Sequence, residues 1–500
     1  MKFRRKRWLF LLLALGAAIL ANGCSRREED KKEQEVPVLN VMFASYGGSI
    51  PSDLQDVENA LNVILAEKIG AAVKLNVFSS SSYDTQANLM LTGDSVDLMA
   101  TSTNTSYAQC VTKGYFMEMD ELLEQYGQGV KKSLGEELLR CTRVNGKEYG
   151  VTGIPLVMAQ DTSFAVSNDI LKCCGIDLSS VHTVEDVEQV LQTIRDNHPD
   201  IIPLANASTK LGYKSLQNLF LNGHGLEDLG DGCVLDYATM TVSSLYSHPV
   251  YEELAALIRD WHGKGLLMPN ASTNTDSRNS LMNAGRAAAS VAFSYNPANS
   301  MREDAMYNTT TIHLGNSPIL VTSMMQLTCW GIPVTSEHPD KAMQFLNLLY
   351  TDAEIGNLLQ YGIEGVHYEK TEEENVIRYP DGVDATTTGY FLKSPGITDI
   401  NPECFVMEPL PSDIYEQVLA FRDTFAVSPI VGFTADMTAC KSEVAAVANV
   451  MAQYVNPLLS GVVDVEQVLP EFRQKLKSAG HETIIRMKQE QLDKWLSENR

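Results

Sequence analysis

The sequence predicts an α/β protein whose folded part forms two lobes. Its 500 residues are 44% hydrophobic and 20% charged, which is the composition of a globular protein. Roughly 460 residues follow position 36, and that is more than one ordinary hydrophobic core accommodates. Predicted strands and helices alternate over residues 38–100, and this order indicates a parallel sheet.

The first 23 residues have the pattern of a secretory signal peptide. A basic start (MKFRRKR) is followed by an apolar run from Trp8 to Leu20 and by small residues before Cys24. The run of about 13 residues is shorter than the roughly 20 of a membrane-spanning helix, so an uncleaved anchor is the weaker alternative. The motif resembles the bacterial lipobox, although Ala21 stands where leucine is usual. We therefore expect an acylated Cys24 that anchors the protein at the extracytoplasmic face of the cell membrane.

Residues 24–36 are predicted to form a charged tether. The segment Ser25–Glu35 (SRREEDKKEQE) has no apolar periodicity and suits a solvated linker. The formal net charge of the chain is −24, which argues against nucleic acid or an anionic lipid surface as a partner. No later apolar stretch approaches the length of a membrane span, so we expect a soluble body.

Residues 38–100 are predicted to contain three strands separated by two helices. Strand patterns cover Val38–Ala44, Ala72–Phe78 and Val96–Ala100. Helical spacing of apolar residues covers Pro51–Ile69 and Tyr83–Leu91. Ligands of parallel sheets bind at the carboxyl ends of the strands. The side chains expected at those ends are Tyr46, Ser102, Thr103 and Asn104.

The remainder of the chain continues this pattern and ends in helices. A hairpin-like Asn145-Gly146 precedes an extended run, and Phe164 begins a new strand. A small-residue strand is predicted over Ala287–Phe293. The predicted later helices are Val184–Asn197, His248–Gly263, Lys341–Tyr350, Ala353–Tyr361, Thr438–Leu459, Val465–Ala479 and Glu482–Ser497.

Cysteine and histidine spacing favours neither a metal site nor an enzyme. Beyond Cys24 the cysteines are scattered, and neither CxxC nor HxxxH occurs. We interpret the adjacent Cys173-Cys174 pair, like the others, as small buried hydrophobes. GxSxG, HExxH and P-loop motifs are absent, so we expect no catalysis and no cofactor. A glycosidase requires only two carboxylates, and among 63 Asp and Glu residues a surface glycan hydrolase remains an alternative.

Several segments in a fixed order carry a resemblance to a known family. They are Tyr83–Thr103 (YDTQANLMLTGDSVDLMATST), Asn145–Pro155 (NGKEYGVTGIP), Asn283–Ala289 (NAGRAAA), His338–Thr351 (HPDKAMQFLNLLYT), Tyr361–Tyr368 (YGIEGVHY) and Gly432–Glu443. Together they resemble the large, carbohydrate-type extracellular solute-binding proteins, and especially the lipoproteins of oligosaccharide importers. The resemblance extends over most of residues 38–497.

This resemblance implies a type II periplasmic-binding-protein fold with hinge crossings and a helix-rich C-terminal region. We expect residues 37–153 and 287–334 to form the first lobe, and residues 154–286 and 335–500 to form the second. Ligand would be captured between the lobes as they close, and the closed form would be presented to an ABC permease. The resemblance also implies a monomer.

Candidate site residues are those that suit a sugar, which offers hydroxyls around apolar ring faces. Tyr46 and the polar residues at 102–104 come from the strand ends, where turns and helix caps are alternatives. The other candidates are Tyr83, Gln160, Asp161, Tyr295, Trp330, Glu364 and His367. For Tyr83 and Trp330 the alternative is packing in a core. For Glu364 and His367 it is attachment of the C-terminal helices to a lobe.

These observations predict a lipid-anchored receptor that captures an oligosaccharide for an ABC importer. A surface glycan hydrolase and a ligand-sensing lipoprotein without a transport partner are the alternatives.

Overall fold

The computed structural model describes residues 36–46, 50–93, 96–102, 105–154, 156, 159–206, 212–274, 276–394, 396–398 and 400–499. Residues 37–500 form one compact unit. The signal peptide, Cys24 and the tether up to residue 35 lie outside the described residues, as do Thr103 and Asn104. Within the described ranges, no helix combines the length and the apolar character that crossing a bilayer requires.

Strands and helices alternate along most of the chain. The strands are β1 (Val38–Ser45), β2 (Ala72–Ser79), β3 (Leu98–Ala100), β4 (Arg143–Val144), β5 (Lys147–Glu148), β6 (Val151–Thr152), β7 (Gln160–Ser167), β8 (Ile202–Ala205), β9 (Leu226–Asp228), β10 (Cys233–Asp236), β11 (Thr241–Ser244), β12 (Ala287–Ala292), β13 (Thr309–Leu320), β14 (Cys329–Gly331), β15 (Glu369–Lys370), β16 (Val376–Arg378), β17 (Val406–Met407) and β18 (Ala426–Val427). The α-helices are α1 (Leu54–Lys68), α2 (Tyr83–Gly93), α3 (Tyr107–Thr112), α4 (Asp120–Tyr126), α5 (Gln128–Arg140), α6 (Asn168–Cys174), α7 (Val184–Asn197), α8 (Gln217–Gly223), α9 (Pro249–Gly263), α10 (Arg278–Asn283), α11 (Pro297–Tyr307), α12 (Thr322–Met325), α13 (Pro339–Thr351), α14 (Ala353–Tyr361), α15 (Ile414–Arg422), α16 (Lys441–Leu459), α17 (Val465–Ser478) and α18 (His481–Asn499).

The first lobe is built on a sheet with the strand order β2-β1-β3-β14-β6 in the described part of the chain. β1 pairs in parallel with β2 from Val38 opposite Ala72 to Ser45 opposite Ser79, and it also pairs in parallel with β3. α1 and α2 connect these strands. The predicted parallel α/β unit at the start of the folded chain is therefore confirmed.

The second lobe is built on a sheet with the order β18-β13-β7-β12-β8. β12 lies between β7 and β8, with Ala289 opposite both Val166 and Leu204. Its sequence AAASVA has small side chains that allow it to pack closely between two neighbours, and residues 287–291 are buried. We expected residues 287–334 in the first lobe. The pairings correct this, because β12 and β13 belong to the second sheet and the chain returns to the first only at β14.

The helices that follow β14 divide between the two lobes. Phe345 of α13 and Ile355 of α14 share a core with Phe43 and Trp330, so these helices pack on the first lobe. We expected them in the second lobe with the rest of 335–500, and their apolar faces explain the difference. The helices α16, α17 and α18 do pack into the core of the second sheet. The predicted helix-rich C-terminal region is confirmed.

Candidate ligand-binding cleft

A cavity of about 710 Å³ lies between elements of the two lobes. The first lobe contributes Tyr46, which directly follows β1, and the second lobe contributes one face of α11, the helix between β12 and β13. Residues 390–393 and 407–409 complete much of the wall. A cavity between two separately cored bodies can bury most of the surface of a small ligand.

The wall from the second lobe is a regular helix face. α11 begins at an N-cap, Asn296, whose side chain accepts a hydrogen bond of 2.9 Å from the backbone N–H of Asn299. Pro297 occupies the first helical turn, where its missing N–H is not needed. Helical spacing of three and four residues then aligns side chains along one face. The cavity-lining residues on that face are Asn299, Arg302, Glu303, Met306 and Tyr307.

The wall from the first lobe is held to the end of β1 by hydrogen bonds. The backbone N–H of Tyr46 donates to the carbonyl oxygen of Lys393 at 2.7 Å. The hydroxyl of Ser394 donates to the carbonyl oxygen of Ala44 at 2.6 Å, and this bond is buried. Trp330 Nε1 donates to the carbonyl oxygen of Gly396 at 2.8 Å. The segment that carries Phe391 and Lys393 is therefore tied to the first sheet.

The lining combines aromatic side chains with polar and charged ones. The aromatic residues are Tyr46, Tyr307, Tyr361, Tyr379, Tyr390 and Phe391. The polar and charged residues are Asn299, Arg302, Glu303, Gln360, Lys393, Thr398 and Glu408. Planar rings can stack on apolar ligand faces, while amides and hydroxyls both donate and accept hydrogen bonds.

Tyr46, Tyr379 and Tyr390 of the lining remain neutral phenols at physiological pH. Burial raises the pKa of Tyr46 and of Tyr390, and it raises the pKa of Tyr379 to about 12. The Tyr390 hydroxyl donates to the carbonyl oxygen of Leu359 at 2.8 Å, while the neutral hydroxyls of Tyr46 and Tyr379 can each donate one hydrogen bond and accept others. Glu303 lies 2.9 Å from the guanidinium of Arg278, so this carboxylate has a cationic partner outside the cavity lining.

Of the residues predicted to bind ligand, Tyr46 is the one that lines the described cavity, and its side chain is 44% exposed. Ser102 is buried; its hydroxyl donates to Asp84 at 2.6 Å and accepts from the backbone N–H of Thr105. The bond to Thr105 closes a turn before α3, whose N-cap is Ser106, so Ser102 supports the turn rather than a helix cap or a ligand. Thr103 and Asn104 lie outside the described residues, so the predictions for them are untested.

Tyr83 and Trp330 are buried in the interior of the first lobe. The Tyr83 side chain has no exposed surface, and its hydroxyl donates to the carbonyl oxygen of Ala100. Trp330 is also fully buried and makes an edge contact with Phe43 at a centroid distance of 6.2 Å. Neither ring can serve as an exposed stacking platform in this structure, because core packing takes up both faces.

Gln160, Asp161 and Tyr295 lie behind the cavity wall in the second lobe. The Gln160 amide donates to Asn222 at 2.7 Å and is buried. Asp161 is also buried; its carboxylate lies 2.7 Å from Nε2 of His313 and accepts from the backbone N–H of Tyr295 at 3.3 Å. Burial raises the pKa of the Asp161 carboxyl, an effect that His313 opposes. The structure therefore brings Asp161 and Tyr295 together just before α11.

Glu364 and His367 lie in a loop that contacts the start of α1. His367 is 2% exposed; its Nδ1 accepts from the backbone N–H of Ile363 at 2.9 Å and its Nε2 lies 3.2 Å from the Asp53 carboxylate. The His367 imidazole and then the Ser52 hydroxyl lower the pKa of the Asp53 carboxyl. Glu364 is exposed and pairs with Lys370 at 2.8 Å. These contacts favour a structural role over contact with ligand, but they hold the loop to the start of α1 and not to the C-terminal helices.

Most of the cavity lining was not predicted from the sequence. The missed residues come mainly from α11 and from the described part of residues 379–409, part of which is bonded to the end of β1; Ile154, Gln360 and Tyr361 are the others. The available signal was compositional, since Tyr379, Tyr390 and Phe391 fall within a stretch of little regular secondary structure. Such a stretch in a large chain is often functional.

Comparisons with known proteins agree on one family. The family described as bacterial extracellular solute-binding protein matches residues 52–355. A domain of unknown function, DUF3502, matches residues 429–497. A carbohydrate ABC transporter substrate-binding protein of Streptococcus pneumoniae serotype 4 is 26% identical over 491 residues, which cover 97% of this chain and 96% of that protein.

Solved structures show the same similarity. The N-glycan transport solute binding protein of Streptococcus pneumoniae superimposes with a TM-score of 0.77 at 25% identity, covering 93% of this chain and 100% of that one. Its complex with Man5GlcNAc gives a TM-score of 0.71 at 25% identity, covering 93% of this chain and 99% of that one. The chain thus matches these proteins over nearly its whole length.

The contacts of the 362–368 loop predict different outcomes for its two candidate residues. Replacing His367 with Ala removes its bonds to Ile363 and Asp53, and we expect a loss of about 1–3 kcal/mol in the free energy of unfolding. Glu364→Ala is the matched control, and a change within about 0.5 kcal/mol is expected for this exposed residue. Denaturant unfolding measures both. A normal stability for His367→Ala, or a loss of ligand affinity in Glu364→Ala, would contradict the structural assignment.

Proposed function

The chain belongs to the bacterial extracellular solute-binding proteins, and on that basis we propose that it captures an oligosaccharide in the cavity between its lobes for an ABC importer. The observation that carries this proposal is the lining of the 710 Å³ cavity. Rings are supplied from both sides, by Tyr46 of the first lobe and Tyr307 of the second. Polar groups that can reach hydroxyls lie between them.

The lining suits a carbohydrate better than a peptide or a simple ion. A sugar alternates apolar ring faces with hydroxyls in several directions, and a neutral phenol beside an amide can satisfy both. The charged groups of the lining have both signs, with Arg302 and Lys393 opposed by Glu303 and Glu408. A neutral, multiply hydroxylated ligand fits such a mixture. The glycan complex of the pneumococcal relative supports the same class.

Ligand would act by bridging the two walls. The chain passes from the first sheet to the second between β6 and β7, returns between β13 and β14, and passes to the second sheet again between α14 and β18. These crossings allow a hinge motion that brings α11 toward the end of β1. A ligand favours closure only to the extent that it binds the closed form more tightly than the open one. Contacts from both walls make the ligand's affinity for the closed form higher than its affinity for the open form. A permease would recognise the closed form.

The oligosaccharide proposal predicts that single aromatic truncations on either wall weaken binding. We expect Tyr46→Ala and Tyr307→Ala each to raise the dissociation constant of a glycan about tenfold or more, since each removes a stacking ring. Calorimetric titration of the full chain with a panel of glycans measures this.

Leu89→Ala is the control for these variants, because Leu89 is exposed at 63% and lies outside the cavity lining. It should bind as the unaltered chain does. Binding of peptides or polyamines but of no glycan would overturn the proposed ligand class. Steady release of shorter glycans would instead indicate a hydrolase.

We further propose that acylated Cys24 holds the receptor at the extracytoplasmic face of the membrane. The support is the signal peptide followed by a lipobox-like motif, together with a charged segment that suits a tether. Anchoring keeps a receptor concentrated beside its permease.

Replacing Cys24 with Ala is expected to abolish acylation and to move the protein from the membrane fraction to the soluble one. Membrane fractionation with metabolic labelling by a fatty acid measures both effects. Cys404→Ser, which alters a buried cysteine, should leave the protein in the membrane fraction. If Cys24→Ala stayed membrane-bound, the anchor would be the uncleaved apolar segment instead.

A further inference from the structure

Two accessible cysteines and a histidine lie together on the second lobe, apart from the residues that line the cavity. Cys173 and Cys174 end α6, and His198 follows the last residue of α7. Sγ of Cys173 lies 3.1 Å from Nε2 of His198 and 3.7 Å from Sγ of Cys174. One ligand atom from each of the three residues lies within 4.8 Å of the other two.

This pair of cysteines differs from the other six that the structure describes, all of which are buried. Burial raises the pKa of the thiols of Cys110, Cys141 and Cys233 to about 12, which leaves them unreactive. Cys173 is exposed and Cys174 is half-buried. The prediction that this pair consists of small buried hydrophobes is therefore wrong for Cys173, whereas Cys174 is partly buried against the core of the second lobe. The position of these thiols beside an imidazole is not explained by packing alone.

Two of the three donor-atom separations lie near those around a tetrahedral metal ion, and the third is at most 4.8 Å. Zinc binds thiolates at about 2.3 Å and imidazole nitrogen at about 2.0–2.1 Å, so tetrahedral ligand atoms are separated by roughly 3.6–3.8 Å. The separation of 3.7 Å between the two sulfur atoms meets this requirement. The sulfur–nitrogen separation of 3.1 Å is a few tenths shorter, and a rotation of the His198 ring would widen it.

The backbone fixes the three residues independently of any ion. α6 ends at Gly175, which has a left-handed conformation with φ of 65°, and the N–H of Ile176 then donates to the carbonyl of Leu171 at 3.0 Å. The N–H of His198 donates to the carbonyl of Ile194 at 2.8 Å, which completes the last turn of α7. Ile170 and Ile194 are buried in the core of the second lobe, so both helix ends are anchored.

We propose that Cys173, Cys174 and His198 form a binding site for a thiophilic divalent metal ion, with Zn²⁺ as the best match. Thiolate and imidazole ligands select zinc over the hard cations Mg²⁺ and Ca²⁺, which prefer oxygen. Three protein ligands leave the fourth tetrahedral position to water or an external group. Because none of the three residues lines the cavity, the metal site and the sugar site can be tested separately.

Cobalt(II) titration of the reduced full-length chain tests this proposal, because cobalt occupies zinc sites and reports thiolate ligands by a charge-transfer absorption. We expect the absorption to saturate at one cobalt per chain and to disappear when one equivalent of zinc is added. Cys173→Ser should abolish most of the absorption. His198→Ala should weaken zinc binding about tenfold or more.

His224→Ala is the matched control, since His224 is an exposed histidine outside the cluster. It should bind cobalt and zinc as the unaltered chain does, and circular dichroism should show that all variants are folded. The absence of a charge-transfer absorption at stoichiometric cobalt would overturn the proposal. An absorption that persists unchanged in Cys173→Ser and a zinc affinity unchanged in His198→Ala would do the same.

Discussion

The cavity depends on the hydrogen bonds that hold residues 390–398 against the end of β1. Tyr46 shares a backbone bond with Lys393, and buried Ser394 bonds to Ala44. Trp330 completes the attachment through Gly396, whose φ of 90° favours glycine and whose Cα lies so close to the indole that a Cβ would come within 3.0 Å of Nε1. These bonds set the position of the Tyr46 backbone relative to the wall. Trp330 was predicted from the sequence to contact ligand, but it is buried and supports the cavity wall from the core of the first lobe.

The opposite wall, α11, belongs to the second lobe, and its Ala298 shares a small buried cluster with Val406 and Leu410, which flank the lining residues 407–409. α11 is fixed within the second lobe by its Asn296 cap and by the pairing of β12 and β13 with β7. Neither wall alone encloses the cavity. A bound oligosaccharide would therefore gain contacts as α11 approaches Tyr46, and the free energy of closure would come from those added contacts. Because Tyr46 and α11 belong to different lobes, this gain is specific to the closed arrangement.

The pattern of apolar and polar residues along the sequence predicted the strands and helices themselves. The alternation in residues 38–100 gave the parallel sheet, and the rule that ligands bind at strand ends gave Tyr46. Long-range placement could not be predicted in this way. The pattern of β12 indicates a strand but not its sheet, and Ala287–Ala292 was assigned to the wrong lobe for that reason. The 379–409 segment and the cluster of Cys173 with His198 depend on contacts between residues far apart in the sequence.

The central claim is that one oligosaccharide contacts both lobes and draws them together. Small-angle X-ray scattering tests it most directly. The sample is the Cys24→Ala variant of the full chain, without detergent, measured with and without a saturating glycan whose binding calorimetry has established. The account predicts a smaller radius of gyration with the glycan, and a reduced change in Tyr307→Ala at equal saturation. A glycan that binds tightly in the cavity and leaves the radius of gyration unchanged would contradict it.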